Sequence, residues 1–114
     1  MIANTGRPEI AERRIAQMVQ RIVARFRPIK IILFGSYARG TAGPDSDVDL
    51  LVVMPFTGSR RAKMVELLGA VQRISSPVDV LVATPQELIR KRHVTGSIIQ
   101  SAAEEGRVVY ESRR

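Results

Sequence analysis

The feature that most constrains this chain is the way two apolar strands meet short polar motifs. Lys30-Ile31-Ile32-Leu33-Phe34 reads as a buried strand that runs straight into Gly35-Ser36-Tyr37-Ala38-Arg39-Gly40-Thr41. A second apolar strand, Val48 to Met54, is headed by Asp45-Ser46-Asp47-Val48-Asp49. A strand ending on Gly-Ser predicts a tight turn into a short helix, Ser36 to Arg39, with Ser36 available as its cap. Alternate side chains of a strand share a face, so Asp47 and Asp49 point the same way, about 7 Å apart by the rise per residue. Val48, Leu50 and Val52 then point to the opposite, buried face. The chain must fold so that one end of its sheet is polar while the rest is core.

The remaining pattern supplies that core. Ile15, Met18, Val19, Ile22, Val23 and Phe26 recur at helical spacing within a helix from Pro8 to about Arg25, which Pro28 stops. Arg13, Arg14, Arg21 and Arg25 fall mostly off this stripe and read as a solvated face. Ser59 can cap a helix from Arg60 to about Ile74, with Met64, Leu67, Leu68, Val71 and Ile74 on its apolar side, and Ser75-Ser76-Pro77 breaks it. Val78 to Ala83 is a third strand. Thr84-Pro85-Gln86-Glu87 has the form of a capping box with proline at the first helical position, opening a helix to about Arg92. Ser97 to Glu105 reads as the last helix, with Gly106 suited to a left-handed position at its end. Arg107 to Glu111 adds a short edge strand. The order α-β-α-β-α-β-α-α-β predicts an α/β (α+β) fold, a small mixed β-sheet flanked by helices in a single domain over residues 1–114.

Composition narrows the classes of function. There is no cysteine, which excludes disulfides and thiolate metal sites. His93 is the only histidine, too little for a zinc site, and reads as an exposed residue near a helix end. No apolar run approaches a membrane span, and the N-terminus lacks a signal-peptide layout, so the expected setting is cytoplasmic. Lys and Arg number 18 against 11 Asp and Glu, a formal charge of +7, which serves solubility and also favours a polyanion or an acidic partner. With two Tyr, three Phe and no Trp, the chain lacks stacking platforms for single-stranded bases, so a nucleotide or an acidic partner protein is favoured over nucleic acid. The basic run Arg90-Lys91-Arg92-His93, with Arg60, Arg61 and Lys63, reads first as solvated surface and second as a contact for a partner or for phosphates.

Asp79 stands out within Pro77-Val78-Asp79-Val80-Leu81-Val82. An acid inside so apolar a run is costly unless it is paired, exposed at a strand end or bound to metal. If the second and third strands are neighbours, Asp47, Asp49 and Asp79 converge. Three such carboxylates repel one another, and a hard divalent cation removes the penalty. Mg²⁺ takes oxygen ligands, characteristically one or two carboxylates plus substrate phosphates. Two such ions can orient a triphosphate and stabilise the attacking and leaving oxygens of an in-line displacement, while Asp79 can take the proton of the attacking hydroxyl. Gly35 lets backbone approach a phosphate, the N–H groups opening the short helix face an anion, Ser36 adds a hydroxyl, and Arg39 reaches toward an outer phosphate oxygen. A lone Gly-Ser is an ordinary turn and a lone Asp-Ser-Asp an ordinary loop. Their combination, each beside a strand and with a third acid in a later strand, is what points to chemistry.

These residues resemble a known signature. Phe34-Gly35-Ser36-Tyr37-Ala38-Arg39-Gly40-Thr41 with Asp47-Val48-Asp49 is similar to that of the minimal nucleotidyltransferases (MNT) of the DNA polymerase beta-like superfamily. The likeness extends through Pro77-Val78-Asp79-Val80 to the tail Gly96-Ser97-Ile98-Ile99 and Glu105-Gly106-Arg107-Val108-Val109-Tyr110-Glu111. It implies that Asp47 and Asp49 bind two Mg²⁺ ions, that Asp79 is the third carboxylate, a ligand of the catalytic ion and the base, and that Gly35 and Ser36 hold the nucleoside triphosphate. It further implies ATP as substrate and a helical HEPN ribonuclease toxin as partner in a hetero-oligomer, silenced when AMP is transferred to its tyrosine. Two alternatives stay open: an antitoxin that neutralises by binding alone, and transfer to a small molecule or RNA.

Overall fold

A computed structural model describes residues 8–43, 45–74, 77–91 and 96–113. Pro44, the Ser75-Ser76 break and the end of the fourth helix, with Arg92 and His93, lie outside the described residues. The order is α1 (Pro8–Phe26), β1 (Lys30–Phe34), α2 (Ser36–Arg39), β2 (Val48–Val53), α3 (Arg60–Ala70), β3 (Val78–Ala83), α4 (Pro85–Lys91), α5 (Ile98–Glu105) and β4 (Arg107–Glu111). This is the predicted mixed α/β arrangement. The four strands form one sheet in the order β3-β2-β1-β4, so β4 is an edge strand.

β1 pairs antiparallel with both β2 and β4, whereas β2 and β3 run parallel. A parallel pair requires a crossover, and α3 provides it. Val48 N–H also donates to the Pro77 carbonyl at 2.9 Å, which aligns the heads of the two parallel strands.

Helices cover both faces. On one face Ile15, Met18 and Ile22 of α1 and Leu67 and Ala70 of α3 meet Leu33, Val48, Leu50, Val52 and Val80 in the larger core cluster. On the other, Leu88 of α4 and Ala102 of α5 meet Ile32, Leu51, Val53 and Ala83. β2 is therefore buried on both sides from Leu50 onward, as its unbroken Leu-Leu-Val-Val run requires. Among the described residues no helix is long and apolar enough to cross a membrane.

Some local expectations are corrected. Ser36 is the first residue of α2 and not its cap; the cap position is Gly35. α3 ends at Ala70 and not near Ile74. The chain leaves the helix at Val71, whose N–H bonds back to the Leu68 carbonyl, yet Val71 and Ile74 still reach the core from the turn. Leu68, expected on the apolar side, is left exposed. Gly106 is extended (φ −81°, ψ 164°), not left-handed. Its glycine is required for space: a Cβ there would overlap the Ala102 carbonyl and the Ile32 side chain. The cap at Ser59 forms as expected, accepting from Ala62 N–H at 3.1 Å. Ser97, expected as the first residue of the last helix, is its cap instead and accepts from Gln100 N–H at 2.9 Å. The Thr84–Glu87 capping box closes in both directions.

Candidate active site

The site is built at one end of the sheet. Asp49 is the second residue of β2 and Asp79 the second of β3, and they are direct partners across the parallel ladder. Because cross-strand partners share a face, the two carboxylates stand on the same side. Asp79 is exposed at the start of its strand, which resolves the apparent cost of an acid in an apolar run. Asp47 precedes β2 and is also exposed. Its loop is shaped by Ser46, whose Oγ accepts from Gly43 N–H at 2.8 Å while its own N–H donates to the Gly43 carbonyl at 3.2 Å.

On the other side of β2, Phe34 is the partner of Asp49, so the Gly35 turn begins beside that carboxylate. Gly35 has φ 75°, and a Cβ there would collide with Asp49 Oδ2. Both the backbone conformation and the close approach demand glycine. The Gly35 carbonyl accepts from the N–H groups of Ala38 and Arg39, so the turn is fixed by its own helix. α2 has only four residues, and its local N–H groups and the Ser36 hydroxyl, rather than a long helix dipole, are what it offers an anion.

Electrostatics tie these groups together. Burial pushes the Asp49 carboxyl above the ordinary aspartate range, the charges of Asp79 and Asp47 push it further, and Arg39 opposes them. The three acids and Arg39 thus share one field. Their oxygen donors and mutual repulsion suit a hard divalent cation. Among the described residues, however, no group of three Asp, Glu, His or Cys side chains closes into a metal-ligating arrangement.

Arg39 is tied to α5 at the surface. Its Nη1 donates to Glu105 Oε1 at 3.1 Å, joining α2 to the last residue of α5, with both side chains about half exposed. Sequence reasoning missed Glu105, which lies 66 residues from Arg39 and carries no local signal. Among the other basic residues, Arg60 bonds the Val82 carbonyl and Glu87, and Lys63 pairs with Glu66. These are engaged within the fold.

Comparison with known proteins agrees with this arrangement. The nucleotidyltransferase domain family matches residues 13–109, and the chain belongs to that family. It is a nucleotidyltransferase enzyme. A candidate protein adenylyltransferase of Methanocaldococcus jannaschii is 32% identical over 105 residues, covering 87% of this chain and 97% of the relative. A chain of a toxin–antitoxin crystal structure with AMP-PNP superposes with a TM-score of 0.62 at 22% identity, over 86% of this chain and 73% of that one. A chain from the complex of tri-AMPylated Shewanella oneidensis HEPN toxin with MNT antitoxin gives 0.51 at 21% identity, over 91% and 72%. At such identities the two structures speak for the fold.

Proposed function

We propose that the chain transfers AMP from ATP, in a Mg²⁺-dependent reaction, to a tyrosine hydroxyl of a HEPN-type toxin and so acts as its antitoxin in the cytoplasm. The observation that carries the chemistry is the Asp49–Asp79 pair, aligned across the parallel ladder with the Gly35 turn against Asp49. The adenylyltransferase relative favours AMP as the group moved, and the AMP-PNP and tri-AMPylated toxin complexes favour ATP and a HEPN partner.

In this reading Gly35 and Ser36 hold the triphosphate, with Arg39 leaving Glu105 to meet an outer phosphate oxygen. Asp47 and Asp49 would hold two magnesium ions, with Asp79 as the third carboxylate. Bound there, magnesium would neutralise the crowded carboxylates and the charge developing on the phosphoryl oxygens. The acceptor oxygen attacks the α-phosphorus, the bond from that phosphorus to the β-bridging oxygen breaks, pyrophosphate leaves, and the hydroxyl proton passes to Asp79. The basic surface suits an acidic partner face.

Incubation with α-labelled ATP, Mg²⁺ and candidate acceptors tests the reading. Label should appear on the partner protein and vanish with the double variant Asp47→Asn/Asp49→Asn. Neutralisation of the toxin by that variant at native expression would leave binding alone as the antitoxin mechanism. Label on RNA or a small alcohol, and never on protein, would reassign the acceptor.

A further inference from the structure

One carboxylate at this end of the sheet belongs to neither strand that carries an aspartate. Asp79 faces Asp49 and Asp49 faces Phe34, while on the far side of β1 Leu33 faces Arg107. Two steps further along that antiparallel pairing, Glu105 comes level with the Gly35 turn. There its Oε1 accepts from Arg39 Nη1 at 3.1 Å. Among the described residues this is the ion pair that holds Glu105, and the neighbouring Arg107 pairs with Glu12 instead.

We propose that Glu105 is a positioning residue that competes with the outer phosphates of the nucleotide for Arg39, so that it weakens ATP binding and speeds the departure of pyrophosphate. The inference rests on the transferase reading above and adds the regulation of its phosphate contact.

The backbone on both sides of the pair is fixed. Arg39 N–H donates to the Gly35 carbonyl at 3.1 Å, and Gly40 turns left-handed with its N–H on the Ser36 carbonyl. Gly106 N–H donates to the Ala102 carbonyl at 2.9 Å, and a Cβ on Gly106 would overlap Ala102 and Ile32, so the end of α5 is seated against β1. What can change is the direction of two long side chains, each about half exposed. An exposed pair is worth little, and a polyphosphate carries more charge than one carboxylate, so Arg39 exchanges partners at small cost. Glu105 then takes up water in place of the guanidinium.

Electrostatics connect the pair to the reacting carboxylates. Burial and the charges of Asp79 and Asp47 push Asp49 upward, and the charge of Arg39 opposes them, so its guanidinium acts on the rung that the nucleotide must approach. A carboxylate beside Arg39 partly cancels that positive charge. The consequence falls on the outer phosphates, which leave as pyrophosphate. Holding ATP and pyrophosphate more tightly alike would not accelerate transfer, and it would retain the product. A carboxylate that draws Arg39 back opposes that retention.

The test measures binding of ATP and of pyrophosphate, each with Mg²⁺, to the whole chain by calorimetry, in wild type, Glu105→Gln, Arg39→Met and the double variant. Both residues are exposed, so the substitutions spare the core. Glu105→Gln should bind both ligands about fivefold more tightly, the factor that matches about 1 kcal/mol for an exposed pair. Arg39→Met should weaken both, and adding Glu105→Gln to it should change neither, because the shared partner is gone. A purely structural role predicts weaker binding in Glu105→Gln, and that result, or unchanged binding, overturns the proposal. So does an equal gain in the Arg39→Met background, which would show that Glu105 does not act through Arg39. A gain for ATP without one for pyrophosphate overturns the role in product departure. A wild type that binds no ATP overturns the transferase reading itself.

Discussion

The two faces of β2 carry different burdens over the same few residues. Val48, Leu50 and Val52 are sealed under α1 and α3, and that face has no polar member. The other face begins with Asp49 and continues through Leu51 and Val53, which α4 and α5 cover. The helices shield the inner rungs and leave the first rung, Asp49–Asp79, open at the sheet end. A period of two thus lets one strand serve as both core and site. The sealed face supports the open carboxylates from beneath with buried apolar side chains alone.

That contrast can be broken experimentally. If Asp49 acts as proposed, Asp49→Asn should lower kcat/KM by about 10²–10³-fold or more, through loss of its charge at the transition state. Its melting temperature should hold or rise, since burial and like charges already disfavour the carboxylate form in the fold. A marked fall in melting temperature would make Asp49 a structural residue. Leu50→Ala, the next position on the strand, should do the reverse. It should cost about 2–5 kcal/mol in urea unfolding while the molecules still folded retain their turnover. If kcat falls in proportion to no loss of stability, the sealed face is not merely a support.

Gly35→Ala probes the seam between the faces. The left-handed backbone at φ 75° and the approach of Asp49 both oppose a side chain, so stability should fall by about 1–3 kcal/mol and transfer with it. Normal activity in this variant would show that the turn can relax away from Asp49.

The smallest effect belongs to Glu87 of α4, which is not part of the carboxylate rung. The side-chain bond from Arg60, joined by the Thr84 backbone, holds its carboxyl below the ordinary glutamate range. A depressed folded pKa contributes stability above the unfolded pKa and loses it as pH falls through the folded value. The Arg60 side chain is 44% exposed, so screening limits the pair to about 1 kcal/mol. Glu87→Gln should therefore be less stable than wild type at pH 7, with the gap closing under acid conditions. A gap independent of pH would mean that packing and not charge is at stake.

Much of this arrangement was legible in order. The bounds of Lys30–Phe34, Val78–Ala83 and Arg107–Glu111 follow from apolar runs ended by glycine, proline or polar residues. The caps at Ser59 and Thr84 follow from side-chain chemistry within three residues. Where local rules failed, distant atoms decided. Gly106 is glycine because Ala102 and Ile32 leave no space for a Cβ, and Ser36 yields the cap position to Gly35 because the turn must pass against Asp49.

The sequence by itself determined the elements and the chemical character of Gly35, Ser36, Asp47, Asp49 and Asp79, because turn preference, periodicity and oxygen-donor chemistry act over a few residues. Tertiary structure alone decided that β2 and β3 are parallel neighbours in a register that sets Asp49 against Asp79 and Leu51 against Leu81. It also decided that Arg39 meets Glu105. Strand pairing and long-range ion pairs depend on which surfaces can be buried together, and no local run of residues contains that information.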